Sequence, residues 1–177
     1  MSMAQMLLAE FEVQAPITRK FLERLPADKL TWKPHEKSMT AGQLAMHIAR
    51  VPGAIIGAAQ KDAQRLPDFR NPAAQLPQPS SVREVLETHD EGVGAVRNLL
   101  PQLDDARLRA TFRLIEGDQE VWVLPRGEYL REIMLNHWYQ HRGQFSVYLR
   151  ILNVPVPASW GPSADELPAF LQKAQTA

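Results

Sequence analysis

Between Glu128 and Asn153 apolar residues return every three or four positions, and no other stretch constrains the fold as tightly. Leu130, Ile133, Met134, His137, His141, Phe145, Tyr148, Leu149 and Leu152 share one face of an amphipathic helix in this reading. Two of the chain's five histidines are therefore expected on a buried stripe. Side chains four apart on a helix have Cβ atoms about 6 Å apart, a separation from which two imidazoles can converge on one ion. The bland alternative is a pair of core histidines whose ring nitrogens find hydrogen-bond partners. Each buried polar atom left unpaired costs roughly 1–3 kcal/mol, and a metal would satisfy two at once. Spacing alone leaves the metal clip and the hydrogen-bonded pair both open.

The chain has 177 residues, the length of one ordinary domain, and a single domain over residues 1–177 is expected. Lys+Arg and Asp+Glu both number 20, so the formal net charge is zero. Such a balance leaves no electrostatic footprint for nucleic acid or for an anionic membrane surface, and points to neutral small molecules or other protein chains as partners. The absence of cysteine removes disulfides, thiolate ligands and a cysteine nucleophile. Any metal must then be held by nitrogen or oxygen. The amino-terminal stretch has no basic region leading into an apolar run, and nothing later approaches about 18 uninterrupted apolar residues, so a soluble cytoplasmic protein is expected.

Met6, Leu7, Phe11, Ile17, Phe21 and Leu25 suit a first helix over Met3 to Leu25, with Pro16 predicting a kink near Glu12 to Ala15 or two shorter helices. Leu30 to Pro34 reads as an extended connector whose Trp32 plugs one end of the core. Thr40 and Gln43 form a capping box that opens a second helix carrying Leu44, His47, Ile48 and Val51 on one face. Pro52 and Gly53 weaken it thereafter. Arg65 to Ser81 is proline-rich and reads as a surface linker. Ser81 and Glu84 form a second capping box, for a helix with His89 on its apolar stripe. His89 reads as a hydrogen-bonded histidine at the bundle surface rather than a ligand, and His35 as an exposed loop residue.

Thr111 to Leu124 breaks the helical period. Phe112–Leu114 and Val121–Val123 alternate around Glu116–Gln119, which predicts a small β-hairpin packed on the helices just before the last one. Beyond that helix, Val154–Pro157 is expected to be extended, Trp160–Ser163 to turn, and Asp165 to Ala174 to form a short helical tail. The sum is four main helices, an all-α four-helix bundle, with three histidines facing its interior.

Leu30-Thr31-Trp32-Lys33-Pro34, then Gly42-Gln43-Leu44-Ala45-Met46-His47-Ile48-Ala49, Asn136-His137 with His141-Arg142-Gly143-Gln144, and Gly161-Pro162-Ser163-Ala164-Asp165-Glu166 resemble the DinB/YfiT-like superfamily. The resemblance spans nearly the whole chain, and its most specific part is His-x-x-x-His-Arg-Gly-Gln. It implies a four-helix bundle, often a homodimer, with a divalent metal held by one histidine of the second helix and two of the fourth. On this chain those are His47, His137 and His141. The family includes enzymes that use low-molecular-weight thiols, a maleylpyruvate isomerase, and many members of no established activity.

Three imidazoles on a zinc-like ion leave a fourth position for water or substrate, the arrangement of a reactive site. Imidazole ligation admits zinc or nickel first and iron or manganese as further options. Two functional expectations follow: a metal-dependent hydrolase or thiol-dependent S-transferase acting on a small molecule, or a non-enzymatic metal-stabilised bundle serving as a stress-response or interaction module. No dedicated general base stands out. Glu132, Gln140 and Gln144 share the helix of the histidines as surface or supporting groups, Arg142 reads as bracing the bundle or a dimer contact, and Gly143 as permitting close helix approach.

Overall fold

Ser2 starts the first helix by accepting a hydrogen bond from the Gln5 amide while the Gln5 side chain accepts from the Ser2 N–H, a complete capping box. In the computed structural model, which describes residues 1–68, 76–168 and 170–172, α1 then runs unbroken from Met3 to Glu23 with Pro16 inside it. Two shorter helices do not form. The proline removes one backbone bond, but Phe11, Ala15, Thr18, Phe21 and Leu22 are all buried, and packing of that face holds the helix together.

The connector that follows turns instead of extending: Ala27–Lys29 is a 3₁₀ turn, and the Trp32 N–H closes onto the Lys29 carbonyl at 3.0 Å. Trp32 is half-buried and meets Tyr148 edge-on at 5.7 Å, covering one end of the core as expected. Helix α2, Ala41–Ala58, opens with the Thr40–Gln43 capping box and continues through Pro52 and Gly53. The glycine has a packing role. A Cβ on Gly53 would lie 3.0 Å from the Gly92 Cα, and one on Gly92 would lie 3.2 Å from the Ala49 carbonyl oxygen, so this pair lets the backbones of α2 and α3 approach.

Helix α3, Val82–Leu99, is capped by Ser81, but the Glu84 carboxylate turns to the Ser80 N–H and hydroxyl, both at 2.7 Å. Only half of the second box forms. The short α4, Asp105–Arg109, leads into the hairpin of β2, Thr111–Glu116, and β3, Gln119–Pro125. Gly117 takes φ +59° in its turn, a backbone conformation open to glycine at no steric cost. Leu114 pairs with Trp122 and Ile115 with Glu120, so Val121 is a bulge.

A third strand extends this sheet. Ala63–Arg65, here β1, lies parallel to β2 and gives the order β1-β2-β3. It lies just before the stretch expected to be linker and shares only Arg65 with it; the part of that linker from 69 to 75 lies outside the described residues.

From Arg126 to Ile151 the chain is one helical run in three parts: α5, Arg126–Tyr129; a π-helical stretch, Leu130–Asn136; and α6, His137–Ile151. α2 packs on α3 and α6, and α1 packs on α3 and α6, so the fold is mostly helical with a small sheet at one side. Arg126, fully buried, clamps the sheet side. It donates to the carbonyls of Arg107 and Lys61 and to the Asp62 carboxylate, at 2.6, 2.9 and 2.8 Å, and lies 5.8 Å from the Phe112 ring centre. After α6 the chain passes Asn153, at φ +56°, into a segment that Ser163 and Asp165 tie down through Val156. Among the described tail residues only 170–172 are helical, since Asp165 and Glu166 are engaged by Arg150 and Arg24. No helix among the described residues is long and apolar enough to cross a membrane.

Candidate metal centre

The π-helical stretch decides which side of the last helix faces the core. Buried residues there come in pairs five apart, Tyr129 and Leu130 and then Met134 and Leu135, which is the i→i+5 period of a π-helix. A uniform 3.6-residue reading carries the apolar stripe straight onto His137 and His141. In the structure the core position is held by Trp138, fully buried, stacked on Phe11 at 5.3 Å and donating from Nε1 to the Ile48 carbonyl at 2.9 Å. His137 and His141 are displaced to the flank of the core and are half-buried, as is His47 across from them on α2.

On that flank the three rings meet. His47 Nε2 lies 3.3 Å from His137 Nε2, and His141 Nε2 lies 2.8 Å from His137 Nε2. The ring centres are 4.5 to 5.0 Å apart and the planes are crossed, so the Nε2 edges face a common point. Metal–nitrogen bonds of 2.0–2.1 Å at tetrahedral angles place ligand nitrogens about 3.3 Å apart. One spacing matches, and the other needs to open by roughly 0.5 Å on binding. Among the described residues, these are the His, Cys, Asp or Glu side chains that could together hold a metal ion, their ligand atoms all within 4.8 Å of one another.

Their electrostatics suit a cation. Burial, followed by the neighbouring His141, His137 and Arg50, pushes the His47 pKa down to about 4. Burial and then His141 lower that of His137, with the Ile133 carbonyl on the preceding turn partly favouring the protonated form. Both imidazoles are neutral at pH 7 and need lose no proton to bind a metal. His141 Nδ1 lies 2.9 Å from Gln144 Oε1, the geometry of an Nδ1–H donating to the amide oxygen, which leaves Nε2 as the lone-pair nitrogen. His137 Nδ1 is buried and makes no hydrogen bond of good geometry among the described residues.

Two of the three histidines border a cavity of about 830 Å³. His47 and His137 form part of its wall, with Val51 and Ile55 of α2, Leu114 and Trp122 of the sheet, and Ile133 of the π stretch. Glu132 also lines it, its carboxylate accepting from the Asn136 amide at 2.9 Å. Neither Glu132 nor Gln140 hydrogen-bonds a ring nitrogen.

The sequence matches the DinB superfamily over residues 10–145. The chain belongs to the DinB superfamily. Over 164 residues it is 27% identical to the uncharacterised protein YrdA of Bacillus subtilis strain 168, covering 92% of this chain and 91% of that one. The fold is similar to that of a DinB-like protein from Bacillus cereus ATCC 10987, with TM-score 0.67, 20% identity, and 87% and 95% of the two chains covered. It is also similar to the DinB-like protein YjoA of B. subtilis, with TM-score 0.62, 21% identity, and 93% and 97% coverage.

The other sequence candidates lie elsewhere. His89 is deep in the core, not at its surface: it is 2% exposed, 6.2 Å from Trp138 in a stacked arrangement, with Nδ1 3.1 Å from the Asp90 carboxylate. His35 is exposed, and its Nδ1 accepts from the Lys37 N–H at 3.2 Å. Arg142 braces α6 to α1 by donating to the Thr18 hydroxyl at 3.1 Å, its guanidinium 5.3 Å from the Tyr139 ring centre. A Cβ on Gly143 would meet nothing within 4 Å, so close helix approach is not its role here. Sequence reasoning missed Arg50, three residues after His47 on the cavity wall, although that spacing puts both on one helix face.

Proposed function

We propose that this DinB-superfamily protein is a metalloenzyme of small molecules in which His47, His137 and His141 hold one divalent ion, zinc or nickel in the first instance. The observation that carries this reading is the convergence of three Nε2 atoms beside an open cavity of small-molecule size whose wall includes His47 and His137. Three nitrogen ligands leave a coordination position free, and a bound ion there would act as a Lewis acid and lower the pKa of water or thiol. The chain supplies no thiol, since it has no cysteine, so S-transfer would take a low-molecular-weight thiol from outside and hydrolysis would take water. Gln144 fixes the tautomer of His141, and the apolar walls limit water around the substrate. The cavity favours this reading over a non-enzymatic, metal-stabilised bundle, which would need no space beside its histidines. In this proposal the protein works as a four-helix-bundle homodimer in the cytoplasm.

Elemental analysis of untagged protein tests it. One equivalent of divalent metal is expected per chain, lost in His137→Ala, together with a rise in melting temperature on zinc addition that a chelator reverses. Full occupancy in His137→Ala would remove the ligand set. A screen of thiols and water against electrophilic substrates then separates transferase from hydrolase.

A further inference from the structure

Among the described residues Arg50 is the cationic side chain that lines the cavity, and no carboxylate there pairs with it. The other arginines of the described core and its margins are engaged: Arg126 with Asp62, Arg97 with Glu12, Arg19 with Asp90, Arg107 with Asp62. Arg50 stands one helical turn beyond His47 on α2, and both residues line the cavity. Around it the wall is aliphatic and aromatic: Val51, Ala54 and Ile55 on α2, Leu66 after β1, and Trp122 on β3. An unpaired guanidinium over an apolar basin is complementary to a molecule with one anionic end and an apolar body. Among the described residues the single carboxylate lining the cavity is Glu132, which lies in the π-helical stretch and is tied to Asn136, so it repels an anion from that side and directs it to Arg50.

We propose that the cavity takes an amphipathic monocarboxylate, its carboxylate bound by Arg50 beside the three histidines and its apolar body laid along α2 and the sheet. This inference rests on the small-molecule reading of the same site and names its substrate class. A neutral apolar molecule, the alternative to that class, would leave the Arg50 guanidinium without an anionic partner in the cavity.

The test is calorimetric titration of the full-length protein with straight-chain carboxylates from hexanoate to tetradecanoate, and with the alcohols of equal length, below their micelle concentrations. Binding of one carboxylate per chain is expected, with affinity rising by up to about fourfold per methylene while the body is being buried. The acid should bind at least tenfold more tightly than its alcohol. Arg50→Gln should remove that preference and leave alcohol binding unchanged, whereas Ala54→Trp, which fills the basin, should weaken both, with circular dichroism confirming that each variant is folded. Equal binding of acid and alcohol, no dependence on length, no binding of either, or an acid preference that survives Arg50→Gln would each overturn the proposal.

Zinc-loaded and metal-free protein are titrated side by side to keep the two readings apart. A preference that needs zinc and survives Arg50→Gln means that the ion binds the head group; the inference then fails while the metal reading stands. If no zinc is bound and Arg50→Gln still abolishes the preference, the metal reading fails and the inference stands.

Discussion

Replacing Gln144 by alanine removes a single hydrogen bond from the proposed site and touches little else. Its amide oxygen lies 2.9 Å from Nδ1 of His141, and the side chain is half-buried on α6. Outer hydrogen bonds of this kind orient a ligating imidazole and raise its basicity, and their loss typically lowers metal affinity by roughly 10- to 100-fold, or about 1.4–2.7 kcal/mol. Helix propensity shifts slightly in favour of alanine, so the metal-free protein should change in stability by less than about 0.5 kcal/mol. Gln140→Ala is the control: Gln140 lines the cavity without bonding a ring nitrogen, and zinc affinity should stay within about twofold of the parent. Gln144→Glu keeps an acceptor toward Nδ1 and should retain affinity. Zinc competition against a chromophoric chelator at pH 7.5 measures the binding, and urea denaturation of the metal-free variants measures the fold. Equal zinc affinity for Gln144→Ala and Gln140→Ala would refute the assignment of Gln144 as the group that fixes the His141 tautomer.

Two glycines of α3, two residues apart, should respond with opposite signs. Gly92→Ala places a methyl against the Ala49 carbonyl and the Gly53 backbone, and overpacking of about 1–3 kcal/mol should exceed a helix-propensity gain of about 1 kcal/mol; Gly94→Ala meets nothing within 4 Å and should stabilise by about 0.5–1 kcal/mol, with chemical denaturation reading both. Arg126→Met leaves the Arg107 and Lys61 carbonyls without this donor and should cost about 2–4 kcal/mol, seen as a fall in melting temperature without loss of zinc stoichiometry. For pH, burial lowers the pKa of His47, His89 and His137 in the folded chain, to about 4 for His47. Below about pH 6.5 the unfolded chain binds protons that these folded rings refuse, so their contribution is fully present above that value and is lost as pH falls toward 4. The urea midpoint of metal-free protein should drop through this window and drop less in His89→Gln; a flat midpoint from pH 7 to 5 would contradict the burial argument.

The long helices were legible because their signals are local. Thr40 and Gln43 mark the start of α2 at Ala41, and an apolar repeat read in windows of a few turns finds α1, α3 and α6. The hairpin was legible because its alternation and its glycine turn lie within fifteen residues. Strand β1 was not: Ala63-Gln64-Arg65 has no pattern of its own and is a strand only because β2 offers it a free edge, with Leu66 donating to the Ile115 carbonyl at 2.8 Å. Gly53 looked like a helix breaker for the same reason. Its role depends on Gly92, 39 positions away.

The histidine triad was legible from motif and spacing, but its setting was not, and the cause is the π stretch. An α-helical reading puts His137 and His141 in the centre of the core, where a metal would be enclosed and no substrate could reach it. Taking five residues per hydrogen-bonded turn between Leu130 and Asn136 rotates α6 relative to α5. Trp138 then fills the core, and His137 faces the cavity beside His47 with the His141 ring against both. The same rotation lets Tyr129 and Leu130 stay buried against the sheet side while Ile133, Asn136 and His137 line the cavity. Two packing demands, sheet side and bundle side, cannot both be met by one uninterrupted α-helix with this sequence. Deleting Arg131, an exposed residue of the π stretch, would restore α-helical register and force a choice between them. The helix itself should survive, with helical circular dichroism near that of the parent, but either the Tyr129–Phe112 stack at 4.2 Å or the Trp138 seat must be given up. The expected result is a protein several degrees less stable that has lost zinc binding, cavity binding or both; a deletion variant with parental stability and zinc affinity would show that the π turn does not position the site.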